Sequence, residues 1–151
     1  MIVHRAFHFK DPKDQAEVRA MIHELNLEDP EGLPASDEKI QRTFEHLEKH
    51  PDQASIRVIT VEGEIVGYSI LINFWSNEYG GIILDIDELF IKKEFRGKGL
   101  ATAFIEDLKS TGFNGCVALS LGTYPGNEKA RALYTRLGFK SPELMSMIKV
   151  F

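Results

Sequence analysis

The segment between Glu88 and Ala101 restricts the fold of this chain more than any other part of its sequence. It opens with an apolar run, Leu-Phe-Ile, that is typical of a strand, and it ends where apolar residues begin to recur at helical spacing. The turn between them is short and basic and contains Gly97 and Gly99. A strand that enters a helix through such a turn is typical of α/β folds.

This turn combines backbone donors, a helix dipole and formal positive charge. The first amides of a helix lack internal partners, and the aligned peptide dipoles make that end of the helix positive. The two glycines let the backbone come close to a ligand. The sequence therefore predicts a phosphate site made of the turn and the first helical residues: Arg96, Gly97, Lys98, Gly99, Leu100, Ala101 and Thr102.

Two segments resemble motifs of the GNAT superfamily of N-acetyltransferases. Residues 96–101, Arg-Gly-Lys-Gly-Leu-Ala, are similar to its Arg/Gln-x-x-Gly-x-Gly/Ala signature. Residues 127–139, Asn-Glu-Lys-Ala-Arg-Ala-Leu-Tyr-Thr-Arg-Leu-Gly-Phe, are similar to its later Asn-x-x-Ala-x-x-x-Tyr-x-x-x-Gly-Phe segment. The resemblance covers about residues 55 to 151 on this motif basis. The first fifty residues match only in their order of strand and helices.

The resemblance implies acetyl-coenzyme A as co-substrate, with its pyrophosphate in the turn, and it implies no metal. It assigns Asn127 and Ala130 as cofactor contacts, and Tyr134 both as a cofactor contact and as the acid that protonates the leaving thiolate. Main-chain groups of the central strand would pair with the pantetheine arm like an added strand, and an N–H near the first of them could polarise the thioester carbonyl. These strand residues are Leu89, Phe90 and Ile91. A packing role for the tyrosine is the alternative.

An amine acceptor must lose a proton before it attacks, because an alkyl ammonium has a pKa of about 10.4. Three carboxylates lie just before the strand residues predicted to bind the pantetheine arm, so any of them could act as the base: Asp85, Asp87 and Glu88. Spermidine/spermine acetyltransferases, which the central region most resembles, carry acidic residues where Asp87 and Glu88 fall. That alignment favours Asp87 slightly, and solvated strand residues are the alternative.

Recognition of the acceptor depends on parts of the chain that match the family poorly. An acidic and aromatic mouth for a polyamine or a similar amine could form from two loops, although solvated loops are the alternative. Its residues would be Trp75, Glu78 and Tyr79, with Glu28, Asp29 and Glu31. Small-molecule amines are the expected substrates, and a protein or peptide acceptor stays open.

The sequence predicts one α/β domain over residues 1–151, with elements in the order βααβββαβαβ. The resemblance implies a mixed, mostly antiparallel sheet of about six to seven strands flanked by about four helices. Apolar residues of the strand at 82–92 stand at even positions up to Ile86 but at odd positions from Leu89. This switch indicates a β-bulge at Asp87–Glu88, and a plain strand is the alternative. Residues 139–150 should complete the sheet with one or two strands.

Composition narrows the remaining classes of function. A formal net charge of −5 argues against a general nucleic-acid binder. The single cysteine, Cys116, fits a reducing compartment, and the most apolar stretch, 65–75, is too short to span a bilayer. Nothing near the first residue resembles a signal peptide. We therefore expect a cytoplasmic protein without a membrane partner.

A zinc site and a non-catalytic binding module are two other interpretations of this sequence. His46 and His50 have the i, i+4 spacing of zinc ligands on a helix, but no third ligand is evident and a solvated helix end is favoured. A non-catalytic acyl-coenzyme A binding module would keep the turn but would need neither Tyr134 nor the carboxylates. The presence of all three features favours an enzyme. Many members of the superfamily dimerise, so a homodimer also stays open.

Overall fold

Five strands form one sheet, and four α-helices flank it. The computed structural model describes residues 2–29 and 32–151. In chain order the elements are β1 (Ile2–Ala6), α1 (Pro12–Glu28), α2 (Asp37–Lys49), β2 (Ala54–Val61), β3 (Glu64–Ser76), β4 (Gly81–Ile91), α3 (Leu100–Thr111), β5 (Ala118–Leu121) and α4 (Glu128–Arg136). Short 3₁₀ turns at Lys93–Phe95 and Phe113–Gly115 flank α3.

The strands lie side by side in chain order, β1-β2-β3-β4-β5. The first three pairings are antiparallel, and only β4 and β5 run parallel. The chain can connect β4 to β5 in parallel because α3 carries it back along the sheet. The predicted α/β fold with a mixed, mostly antiparallel sheet is therefore confirmed.

Each helix begins at a residue suited to that position. The side chains of Asp11, Ser36 and Asn127 accept hydrogen bonds from the first-turn amides of α1, α2 and α4. Helix α3 instead begins at Gly99, which has a positive φ of 76° and no capping side chain. In the described ranges, no helix combines the length and the apolar character that crossing a membrane requires.

Helices cover both faces of the sheet, and each face has its own core. On one face, α1 and α2 pack against β2 and β3, with Met21 and Tyr68 among the fully buried side chains. On the other face, α3 packs against β1 and β4, with Leu84 and Phe104 among the buried side chains. Strand β4 contributes to both cores, so its position is firmly fixed.

A β-bulge interrupts β4 in the middle of its pairing with β3. Ile70 of β3 is paired with Glu88, but the next residue, Leu71, is paired with Ile86, so Asp87 has no opposite residue. This arrangement confirms the bulge predicted at Asp87–Glu88. A bulge turns the side chains that follow it toward the other face.

The predicted strands over residues 139–150 are absent from this structure, which has five strands in the described ranges instead of six to seven. Residues 139–151 contain neither helix nor strand. Their apolar side chains are at least 70% exposed at Leu144, Met145, Met147, Ile148, Val150 and Phe151. The prediction was wrong because apolar content favours a strand only where a neighbouring edge pairs with it and one face becomes buried.

Candidate active site

A free strand edge opens where β4 and β5 separate. Pairing between them runs from Ile83 with Ala118 to Ile86 with Leu121, where β5 ends. Beyond Ile86, β4 continues to Ile91 with β3 on one side. On its other side, no strand of the described ranges pairs with it. An extended ligand could therefore add to this edge as a further strand.

The free edge exposes the backbone groups of alternate residues. Lys92 donates its N–H to the carbonyl oxygen of Val66, at 2.9 Å, so residues 88, 90 and 92 direct their backbone groups toward β3. Leu89 and Ile91 consequently direct theirs toward the free side. Of the three residues predicted to bind the pantetheine arm, Phe90 instead pairs with Tyr68 through its backbone, and its side chain is buried in the core.

The free edge leads directly into the N-terminus of α3. Gly97 and Gly99 have φ values of 73° and 76°, which L side chains adopt only with strain. The first helical hydrogen bond runs from the Ala103 N–H to the Gly99 carbonyl oxygen, at 2.9 Å. The amides of residues 100–102 therefore have no partner within the helix, as the sequence predicted.

The two predicted cations of the turn already have contacts. Arg96 donates through Nη2 to both carboxylate oxygens of Glu28, at 3.0 and 3.1 Å, and through Nε to the Ile91 carbonyl oxygen, at 2.7 Å. Its guanidinium also lies 5.1 Å from the centre of the Phe90 ring. The ammonium of Lys98 lies 5.0 Å from the centre of a neighbouring aromatic ring. Only Lys98 keeps a charge that no carboxylate of the described residues balances within 4.0 Å.

Helix α4 carries the three later residues predicted for the cofactor. Asn127 accepts a hydrogen bond from the Ala130 N–H, at 3.2 Å, so its side chain caps the helix. Tyr134 is half-buried, with its ring centre 5.9 Å from that of Phe139. Burial raises the pKa of Tyr134, which keeps the phenol protonated and able to donate.

The bulge carboxylates differ in their contacts. Glu88 is half-buried and accepts a hydrogen bond from the Tyr68 hydroxyl, at 3.1 Å, while its carbonyl oxygen accepts one from Ser69, at 2.8 Å. Asp87 is the unpaired bulge residue and is exposed. The third carboxylate, Asp85, accepts a short hydrogen bond of 2.6 Å from the Ser120 hydroxyl, which ties β4 to β5.

Both bulge carboxylates have a raised pKa. Burial is the main cause for Glu88, and the charge of Asp87 adds to it, whereas the hydrogen bond from Tyr68 opposes the rise. For Asp87, whose side chain is exposed overall, the main cause is the loss of part of the hydration of its carboxylate, followed by the charge of Asp85. A carboxylate with a raised pKa is a stronger base for an ammonium proton.

The same two carboxylates lie in a cleft of about 850 Å³ between α2 and the sheet. One wall is the polar face of α2, and the other is formed by β3 and the bulge of β4. Ile70 and Ile72 line it between the two walls. The cleft could therefore hold an acceptor at the carboxylates, next to the free edge of β4.

The match to known proteins extends over most of this fold. The sequence profile of the acetyltransferase (GNAT) family matches residues 18–139. The chain belongs to the GNAT family. It is 34% identical over 90 residues to an uncharacterized N-acetyltransferase of Methanocaldococcus jannaschii. The matched segment covers 58% of this chain and 54% of that protein. The chain thus spans about half the length of this curated relative.

Solved structures of the same fold superpose on the whole chain. A possible acetyltransferase from Clostridium difficile 630 has a TM-score of 0.82 at 21% identity, covering 100% of this chain and 99% of that one. AAC(6')-Iy, in complex with the bisubstrate analogue CoA-S-monomethyl-acetylneamine, has a TM-score of 0.77 at 18% identity, covering 100% and 99%. At these identities the likeness establishes the fold alone.

The residues predicted for the substrate mouth do not gather at the cleft of this GNAT chain. Trp75, Glu78 and Tyr79 lie at the tip of the β3–β4 hairpin, about 17 Å along β3 from the bulge. Glu28 is paired with Arg96, and Asp29 accepts a hydrogen bond from the Gly32 N–H. Glu31 lies outside the described residues.

The two histidines of α2 contact each other rather than forming a metal site. The ring centres of His46 and His50 are 4.4 Å apart, and His46 bonds to Gln53. In the described ranges, the one group with metal-ligand geometry is His8, Asp11 and Asp14. Asp14 of that group is buried and already holds Arg5, at 2.7 and 2.8 Å. A cation there would have to compete with the guanidinium.

Sequence reasoning missed two features of the GNAT cleft. Tyr68, for which the sequence indicated no role, is fully buried, and its hydroxyl reaches Glu88 across the strand pair. The second feature is the basic face of α2. Its sequence signal is the spacing of Arg42, His46 and Lys49, which recur every three to four residues and so lie on one side of a helix. Only the packing of α2 beside the bulge turns that spacing into a wall of the cleft.

Proposed function

We propose that this chain is an N-acetyltransferase that moves an acetyl group from acetyl-CoA to a primary amine of a small molecule. The observation that carries the proposal is the free edge of β4, which leads into the unpaired amides of α3 at one end and begins at two carboxylates at the other. A carrier laid along this edge would present its acyl end near the carboxylates. The amine then attacks directly, with both substrates bound together.

The residues around the turn fit the diphosphate of acetyl-CoA. A Cβ built at Gly97 or Gly99 would meet no atom within 4 Å, so the space above this backbone is open. Amides of residues 100–102 would donate to the phosphates, while Leu89 and Ile91 would pair with the pantetheine amides. When bound, acetyl-CoA supplies the acetyl thioester and a thiolate leaving group. The CoA-containing analogue held by AAC(6')-Iy, which shares this fold, supports such a site.

Glu88 is the residue we propose as the general base. Its hydrogen bond from Tyr68 fixes one carboxylate oxygen and leaves the other for the ammonium or for an intervening water. Asp87, which the sequence favoured slightly, is exposed beside it, and we propose that it holds the ammonium. Glu88 would take the proton from the ammonium, after which the free amine can attack the acetyl carbon.

Tyr134 is the residue we propose for the leaving group. A carbon–nitrogen bond forms as the carbon–sulfur bond breaks, and the phenol would donate a hydrogen bond to the charge that develops on sulfur. Its pKa is raised by burial, so the phenol stabilises the thiolate by hydrogen bonding more readily than by complete proton transfer. Asn127 and Ala130 would contact the cofactor from the same helix.

Glu88→Gln tests the base without a change of shape. We expect kcat/KM for an amine to fall about 100- to 10,000-fold, because the carboxamide cannot accept the proton. Calorimetry should give an unchanged Kd for acetyl-CoA. Glu64→Gln, the same change at an exposed residue that begins β3, should leave both quantities unchanged. Equal turnover in Glu88→Gln and the unmodified protein would exclude Glu88 as the base.

Other functions predict different results from the same assay. A regulatory acyl-CoA module would bind acetyl-CoA and release no thiol with any amine. A peptide acetyltransferase would release thiol only with peptides. The resemblance to spermidine/spermine acetyltransferases favours a polyamine among the small amines, an expectation that the cations on the α2 wall of the cleft oppose. The cytoplasmic location, which the half-buried free Cys116 fits, and the homodimer stay predictions.

A further inference from the structure

The two walls of the cleft carry opposite charges. The sheet wall presents the carboxylates of Asp87 and Glu88. The wall formed by α2 presents three cations, Lys39, Arg42 and Lys49. An acceptor that fills this cleft therefore meets negative charge at one side and positive charge at the other.

The cations form a stripe along one face of α2. Positions 39, 42, 46 and 49 are three or four residues apart, so each lies about one turn beyond the last. The stripe is about 15 Å long at 1.5 Å per residue. His46 stands between Arg42 and Lys49 and adds further polar surface to the same wall. An anionic group could thus be held at more than one distance from the bulge.

Little on the α2 wall neutralises this stripe. Arg42 lies 4.0 Å from Glu38, with both side chains largely exposed, and Lys39 donates to the Pro34 carbonyl oxygen. Lys49 has no carboxylate within 4.0 Å in the described part of the chain. One carboxylate, Glu45, lines the same wall, where it accepts a hydrogen bond from Gln41. The wall keeps an excess of positive charge.

Apolar side chains separate the two charged walls. Leu47 and Ala54 line the cleft from α2 and β2, and Ile70 and Ile72 line it from β3. These residues offer nothing to a polar group in the middle of a ligand. They would pack against a short hydrocarbon spacer.

We propose that the acceptor is a primary amine that also carries an anionic group, a carboxylate or a phosphate, across a short apolar spacer. This inference rests on the proposed acetyl transfer. The ammonium would lie at Asp87 and Glu88, and the anion at Arg42 and Lys49. A polyamine would instead place its second ammonium against the cations of α2, where like charges repel.

Four amines, each built on a chain of four carbons, test the inference. They are 4-aminobutanoate, 4-aminobutyl phosphate, butylamine and 1,4-diaminobutane, each assayed with saturating acetyl-CoA. We expect kcat/KM for at least one anionic amine to exceed that for butylamine by about tenfold or more, and the diamine to be the poorest substrate. The two anionic amines distinguish a carboxylate ligand from a phosphate ligand.

Arg42→Gln combined with Lys49→Gln removes the proposed anion partners. We expect kcat/KM for the preferred anionic amine to fall about 10- to 100-fold, mainly through KM, and that for butylamine to change less than about twofold. The diamine should become a better substrate. Lys13→Gln combined with Lys109→Gln is the matched control, because it also removes two cations, from exposed positions of α1 and α3 outside the cleft.

The outcomes separate the two proposals. A preference for the diamine, or an equal loss for every amine in the double variant, would overturn the anionic acceptor and leave acetyl transfer intact. Absence of turnover with all four amines and with peptides would overturn both. Retention of acetyl-CoA binding in that case would point to the regulatory module.

Discussion

At the scale of single residues, the proposed chemistry assigns different tasks to two tyrosines. Tyr68 is fully buried and donates to Glu88, and both burial and that neighbouring carboxylate raise the pKa of Tyr68. Tyr134 is half-buried, packs beside Phe139 and has no hydrogen-bond partner for its hydroxyl in the described part of the chain. A donor without a partner is available to a ligand, so only Tyr134 suits the role of an acid.

Tyr134→Phe removes that hydroxyl and keeps the ring. We expect kcat to fall about 10- to 1,000-fold, the range for loss of a general acid, while the Kd for acetyl-CoA changes little. Single-turnover kinetics should be used, so that the chemical step is what is measured. An unchanged rate of that step would remove Tyr134 from the mechanism.

Tyr68→Phe should shift the pH dependence of the reaction. The Tyr68 hydroxyl stabilises the charged form of Glu88 and so lowers its pKa, against the larger effect of burial. Without this donor the pKa of Glu88 rises further, so the acid limb of kcat/KM should move to higher pH. The limb should vanish in Glu88→Gln. An acid limb that stays in place, or moves to lower pH, would contradict this role for Tyr68.

At the scale of elements, an ion pair links helix α1 to the glycine-containing turn before α3. Glu28, the last residue of α1, holds the guanidinium of Arg96, and Glu17 of the same helix holds Lys92, at 2.9 Å. A phosphate bound at Arg96 would have to share the guanidinium with Glu28. The sequence predicted the turn and its glycines because their signals are local, but it could not predict this pair, which joins residues 68 positions apart.

Glu28→Gln should therefore strengthen the binding of acetyl-CoA. The carboxamide has no charge to compete with the phosphates for Arg96, so we expect the Kd to fall about two- to tenfold. Glu24→Gln, at an exposed position of the same helix, controls for the change in net charge. Weaker binding in Glu28→Gln alone would mean that Glu28 positions Arg96 for the cofactor instead of competing with it.

At the scale of the whole molecule, local patterns predicted the order of the elements up to α4, and the change of parity predicted the bulge. Contacts between distant residues were not predictable in the same way. The cleft forms only because α2 packs beside the bulge, and Arg42 and Glu88 are far apart in sequence. The predicted strands after Phe139 failed for a related reason, since a strand requires an edge that pairs with it.

The central claim is that the free edge of β4 and the start of α3 bind acetyl-CoA, and calorimetry on the purified, folded protein tests it most directly. Acetyl-CoA and free CoA should each bind at one site per chain, with a Kd between about 1 µM and 1 mM, the usual range for enzyme substrates. Absence of any binding heat at several temperatures, together with no shift in thermal unfolding at millimolar CoA, would contradict the claim.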